Sequence, residues 1–136
     1  MKVVIDTNVF ISGIFWKGKS NNILNLWKEG KITTVASSDM ISELTKVLSG
    51  FKIQLSEDMI KQWANMILRN SILVGPKEKI NAVKDDPKDN MFLEAAVAGK
   101  AEYIITQDKH LLKLKTHQGT KIAKPEEFIR NKIFIY

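Results

Sequence analysis

Four acidic side chains of this 136-residue sequence stand where a hard metal ion could be held: Asp6, Glu43, Asp89 and Asp108. Asp6 ends the run Val3-Val4-Ile5, three β-branched residues apolar on both faces and suited to the middle of a parallel sheet. Asp108 follows Tyr103-Ile104-Ile105-Thr106 in the same way. In open α/β sheets ligands bind just beyond the carboxyl ends of the strands, so both acids fall at the usual place for chemistry. Asp89 lies three residues before Phe92, four before Leu93 and seven before Ala96, in the middle of an apolar helix face. A carboxylate among core positions is costly unless it is paired or bound to a cation. Glu43 flanks the helical stripe Met40, Ile41, Leu44, Val47 and Leu48, from where it could lean over the end of the sheet. Glu94 projects to the polar side of the Asp89 helix and is expected to be solvated, while Asp85 and Asp86 read as turn and cap residues.

Each of the four acids also has a purely structural reading. Asp6 can start a turn, and Glu43 can be a solvated neighbour of the core. Asp89 can satisfy free amides at the start of its helix, and Asp108 can cap a short helix over Lys109–Leu114. Taken together they point further. Two like charges about 4 Å apart repel by roughly 4 kcal/mol at an effective dielectric near 20, so four converging carboxylates need a cation. Oxygen-only ligands suit Mg²⁺ or Mn²⁺ rather than Zn²⁺. Next to a basic surface, such an ion suits phosphodiester hydrolysis, where it holds the phosphate, activates a water and stabilises the leaving oxygen.

The elements that must position these acids alternate along the chain. After the first strand, Val9–Trp16 reads as a helical turn that Gly13 allows to break. Ser20 then caps a helix carrying Ile23, Leu24 and Trp27 and ending at Gly30. A strand over Ile32–Ala36 leads through Ser37-Ser38-Asp39 into the helix of Glu43, which Gly50 stops. Ser56 caps a further helix whose Met59, Ile60, Trp63, Met66 and Ile67 look like core. Ile72–Val74 is a short strand, and Asp86-Pro87 opens a helix running to Gly99. Strands at Tyr103–Thr106 and Lys121–Ala123 and a closing helix from Pro125 complete the pattern, with His117 in a polar loop and Ile133–Tyr136 unassigned. Alternating β and α elements without a composition break imply one α/β domain over residues 1–136, a mostly parallel sheet with helices on both faces.

Composition narrows the class. No apolar run approaches the roughly 20 residues needed to span a bilayer, and the first strand begins at once, so neither a membrane segment nor a signal peptide is expected. Cysteine is absent, which excludes disulfides, thiolate metal sites and a cysteine nucleophile and fits a reducing cytoplasm. The net charge of +6 favours a polyanionic partner. Lys17 and Lys19 follow the first acidic motif and Lys109, Lys113 and Lys115 the last, so both sets are candidates to grip phosphates or to be solvated surface.

Val4-Ile5-Asp6-Thr7-Asn8-Val9-Phe10, Glu43, Asp85-Asp86-Pro87-Lys88-Asp89-Asn90-Met91-Phe92-Leu93-Glu94 and Tyr103-Ile104-Ile105-Thr106-Gln107-Asp108 resemble the successive motifs of PIN-domain nucleases. The similarity extends to Lys124-Pro125-Glu126-Glu127-Phe128, and it is closest to the small stand-alone prokaryotic PIN proteins that act as toxins of toxin–antitoxin pairs. That resemblance implies a Rossmann-like sheet, dependence on Mg²⁺ or Mn²⁺ and endonucleolytic cutting of RNA. It implies an acidic tetrad of Asp6, Glu43, Asp89 and Asp108, with Asn8 orienting Asp6 and Thr106 supporting the site. It also implies an antitoxin partner and a homodimer, for which the apolar tail and Phe10–Trp16 are contact candidates. Where many relatives carry a further acid two residues after the one matching Asp108, this chain has His110, which leaves the number of metals open. A PIN protein that binds RNA or a partner with weak or no cleavage is the alternative, disfavoured by the presence of all four acids. A haloacid-dehalogenase-like phosphatase is more distant, because Asn8 stands where its second aspartate is needed.

Overall fold

The computed structural model describes residues 1–50 and 55–131. Among these residues the core is a six-stranded sheet in the order β3-β2-β1-β4-β6-β5. The strands are β1 (Lys2–Ile5), β2 (Thr33–Ser37), β3 (Ser71–Val74), β4 (Tyr103–Ile105), β5 (Thr116–His117) and β6 (Thr120–Ala123). All neighbouring pairs are parallel except β5 with β6. The centre of a parallel sheet is covered on both faces, which is why Val3, Val4, Ile104 and Ile105 are apolar without alternation and wholly buried. Val3 is in register with Tyr103 and Ile5 with Ile105, so β1 and β4 end side by side. The residues that follow them, Asp6 and Thr106, therefore emerge together.

The helices are α1 (Thr7–Phe15), α2 (Lys19–Lys28), α3 (Ser38–Ser49), α4 (Glu57–Asn70), α5 (Asn90–Gly99), α6 (Lys109–Leu112) and α7 (Pro125–Arg130). Ser37 and Ser56 cap α3 and α4 through bonds from the amides of Met40 and Met59, as their sequence positions predict. Gly13 breaks nothing. It lies inside α1, where a Cβ would stand 2.8 Å from the Leu24 side chain and the Ser20 carbonyl, so its function is to let α2 pack close. Nor does Ser20 cap α2, which starts two residues earlier than that cap would place it, with Gly18 at the cap position, and buries Ser20. The helix expected from Pro87 is two pieces, a 3-10 turn over Pro87–Asp89 and then α5. His117 is not in a loop but in the β5–β6 hairpin, whose turn uses Gly119 at φ 86. Along α4, Ile60 and Ile67 are buried and Trp63 and Met66 half-buried, but Met59 is exposed.

Helix α5 crosses β1, β2, β3 and β4, burying Phe92, Leu93, Ala95 and Ala96. Its last residue, Gly99, sits so close to the sheet that a Cβ would lie 2.4 Å from Val35 Cγ1. Because α5 leads into β4, its start is at the carboxyl edge of the sheet, the edge where β1 and β4 end. The tail Ile133–Tyr136 lies outside the described residues. No helix among the described residues is long and apolar enough to cross a membrane.

Candidate metal centre

Asp6 is the first residue past β1 and the cap of α1, and it is only 3% exposed. Its backbone amide still belongs to the sheet, donating to Ile105 O at 3.0 Å. One carboxylate oxygen accepts from the amide of Asn8 at 3.1 Å and the other from Thr106 Oγ1 at 2.5 Å. Asn8 thus contributes through its main chain, while its side chain is exposed. Thr106 is fully buried, and its hydroxyl also accepts from the amide of Asp108 at 2.9 Å. One hydroxyl therefore joins the acid after β1 to the acid after β4. Asp108 also caps α6, its Oδ1 accepting from the amides of His110 at 2.7 Å and Leu111 at 3.3 Å, so both readings of that residue hold together.

Asp89 is 8% exposed and forms no capping bond at the start of α5; its Oδ2 is buried without a hydrogen-bond partner. That removes the capping explanation for this residue. Burial pushes the Asp89 carboxyl up to about 7, reinforced by the charges of Asp108 and Asp86. The Asp6 carboxyl is also raised, chiefly by burial, against the bonds from Thr106 and Asn8 that favour its charged form. The charge of Asp108 acts on both, and that of Asp6 acts on Asp89. Asp6, Asp89 and Asp108 thus belong to one electrostatic group at the carboxyl edge.

A third carboxylate stands beside two of them. Oxygens of Asp86, Asp89 and Asp108 lie within 4.8 Å of one another. Asp86 occupies the cap position before the 3-10 turn but makes no side-chain cap bond there, so the turn-and-cap reading misses its placement. Asp6 is not within this trio, and neither is Glu43. It is half-buried on α3 and lines an open groove with Asp39, Lys46, Lys79, Lys88 and Asn90, on the flank of the segment that carries Asp89. Glu94 is not solvated either: half-buried, it accepts from the amide of Ile80 at 3.0 Å. His110 approaches Asp85, Nδ1 to Oδ2 at 3.7 Å, and Lys17, Lys19, Lys109, Lys113 and Lys115 are exposed.

The donor set fits a hard divalent cation. It consists of carboxylate oxygens, crowds negative charge closely enough to raise the Asp89 carboxyl, and includes a buried oxygen with nothing to bind.

A parallel sheet in this order, with acids at adjacent strand ends, matches a known family. Residues 2–110 match the model of the PIN domain, so the chain belongs to the PIN-domain family of nucleases. It is 35% identical to the uncharacterized protein MJ1680 of Methanocaldococcus jannaschii, over 95% of this chain and 90% of that one. Its fold resembles VapBC-1 from nontypeable Haemophilus influenzae at TM-score 0.61 and 16% identity, covering 93% of this chain and 99% of that one. It also resembles VapBC2 from Rickettsia felis, solved bound to a DNA fragment from its promoter, at TM-score 0.56 and 16% identity, covering 90% and 97%. FitAcB from Neisseria gonorrhoeae gives 0.52 and 13%, covering 91% and 98%.

Proposed function

We propose that this PIN-domain protein is a metal-dependent endoribonuclease, acting with Mg²⁺ or Mn²⁺ as the toxin component of a cytoplasmic toxin–antitoxin pair. The single observation that carries the metal is the buried, unpartnered Oδ2 of Asp89 beside further carboxylates. Asp6, Asp89 and Asp108 would hold the ion, with Glu43 reaching it from the groove side, and the bound ion would supply charge to bind a phosphate and polarise a water. The chain's own residues do the rest. Thr106 keeps Asp6 and Asp108 at fixed separation, and the amide of Asn8 holds the rotamer of Asp6. The net charge of +6 supports a polyanionic substrate, with the exposed Lys17 and Lys19 following the first acidic motif and Lys109, Lys113 and Lys115 the last as candidates to grip phosphates. RNA as the substrate rests on the motif resemblance. The fold shared with VapBC and FitAcB structures supports an antitoxin protein as partner. A homodimer is proposed by family analogy, with Trp16, 61% exposed at the end of α1, as a contact.

The test is cleavage of single-stranded RNA with Mg²⁺ or Mn²⁺, beside EDTA and the Asp6→Asn variant. Cutting that needs the metal and is lost in Asp6→Asn supports the reading. Undiminished cutting in EDTA overturns it, and metal-independent RNA binding without cleavage favours the non-catalytic alternative.

A further inference from the structure

Residues 75–86 cross from β3 to the 3-10 turn and contribute no strand to the sheet. Their backbone groups need other partners, and α5 supplies them from one face. Asn90 is 5% exposed, and its side chain grips Val83 from both sides: Oδ1 accepts from Val83 N at 2.8 Å and Nδ2 donates to Val83 O at 3.0 Å. The same Nδ2 donates to Pro87 O at 3.1 Å. One turn along, at the i+4 position, Glu94 holds the amide of Ile80. Between the clamped Val83 and Pro87 only Lys84, Asp85 and Asp86 remain. Asp85 is exposed and lies beside His110. Asp86 points the other way, into the group formed with Asp89 and Asp108.

We propose that Asp86 is a further metal-holding carboxylate of this centre, and that the buried side chain of Asn90 positions it there. The proposal rests on the metal-centre reading and adds two residues to it. A capping role does not explain the Asp86 carboxylate, since the side chain makes no cap bond. Repulsion from Asp89 and Asp108 would swing a free loop outward, so a force must oppose it. On the far side the Asp86 carbonyl accepts from the amide of Asp89 at 3.0 Å, and on the near side the Asn90 clamp is that force. It is bidentate to one residue's backbone, buried from competing water, and reaches a point three residues from Asp86 along the chain. The unpartnered Asp89 Oδ2 is the independent sign that the carboxylate group Asp86 joins is made for a cation.

The experiment is Mn²⁺ titration by calorimetry on the full chain, without RNA. Asp86→Asn is expected to weaken Mn²⁺ binding at least tenfold, and Asp85→Asn, one residue away but turned to solvent, is expected to leave it unchanged. Asn90→Ala should weaken it to a similar degree. The Asp86→Asn, Asn90→Ala double variant should bind no more weakly than the poorer single variant, because both changes act through one carboxylate. Hydrogen exchange supplies the second measurement. In Asn90→Ala, or in Asn90→Ser if the alanine variant does not fold, protection of the Val83 amide should fall while that of the β1 and β4 amides stays. Wild-type affinity in Asp86→Asn overturns the assignment of Asp86. Fully additive losses, or loss of protection across the sheet, overturn the positioning role of Asn90. No Mn²⁺ binding by the wild type overturns the metal-centre reading itself, an outcome distinct from the other two.

Discussion

Replacing Asp89 by Asn should stabilise the metal-free protein, the reverse of what a buried polar substitution usually does. Asp89 carries its proton up to about 7 in the fold against 3.8 in the unfolded chain. For an acid raised in this way, the native state holds the proton longer than the unfolded state. Stability of the metal-free protein therefore falls as pH rises from about 4 to about 7, and is level above. At 1.36 kcal/mol for each tenfold change in the acid constant, that displacement sets an upper bound of about 4 kcal/mol. Asp86 and Asp108 are only half-buried, so solvent screens part of the repulsion and about 2 kcal/mol is expected at pH 8. Asn keeps the shape of Asp89, and its amide can donate toward Asp108 as the protonated acid does. For a chain of this length 2 kcal/mol is about 7 °C in Tm. The assay is urea and thermal unfolding in EDTA at pH 5 and pH 8. Wild type should lose stability between the two, and Asp89→Asn should be nearly flat and the more stable at pH 8. Adding Mn²⁺ reverses the order, because a ligand at a hundred times its dissociation constant adds about 2.7 kcal/mol to the state that binds it. Asp89→Asn less stable than wild type at pH 8 in EDTA would refute the reasoning, since Asp89 would then be held by a favourable interaction.

Thr106→Val leaves an oxygen of Asp6 and the amide of Asp108 without their shared partner, and should cost about 1–3 kcal/mol in urea unfolding together with most RNA cleavage; Thr106→Ser, which keeps the hydroxyl, should restore both. Gly99→Ala forces a methyl against Val35 and should cost at least about 1–3 kcal/mol in thermal unfolding without changing Mn²⁺ affinity in the folded fraction. If Lys109 and Lys113 contact phosphates, the Lys109→Ala, Lys113→Ala double variant should lower the salt slope of single-stranded RNA binding by about 0.7 for each lost contact, and an unchanged slope removes α6 from the substrate path. Glu94→Gln keeps an oxygen for the amide of Ile80 and should cleave like wild type, whereas Glu94→Ala should raise hydrogen exchange at Ile80.

How much of the fold and the site is legible in the sequence follows from where the information lies. β1 and β4 show because a central parallel strand must be apolar on both faces, and few other elements produce Val3-Val4-Ile5 or Ile104-Ile105. Asp6 and Asp108 are visible for the same reason, as the first acids beyond those runs. Asp89 is visible because helical periodicity puts it among apolar neighbours. The β5–β6 hairpin is hidden, since β5 is two residues long and its pairing is set by the turn at Gly119 rather than by any pattern. Asp86 is hidden by its position: an aspartate before proline looks like a cap whether or not it caps. Asn90 does carry a signal that periodicity can catch, a polar residue three before Leu93 on the buried side of α5. Its place inside a family motif masks that signal.

The acids of this edge come from separate stretches of chain, and each is held by something different. Asp6 is held by the sheet itself, since its own amide is the last rung between β1 and β4. Asp108 is held by Thr106 and by two amides of α6. Asp89 is held by the packing of α5, which it leads into and whose Phe92 and Leu93 are buried. Asp86 ends the long connection 75–86, which has no regular structure, and there two polar side chains of α5 replace the missing strand partner. Backbone ladders and apolar packing resist the mutual repulsion of carboxylates without further help; a loop does not. The polar residues that an α5 helix packed only on apolar surface would not need, Asn90 and Glu94, therefore occur opposite the acid at the end of a connection without a ladder, where the Asp86 carbonyl accepts from the amide of Asp89 at 3.0 Å.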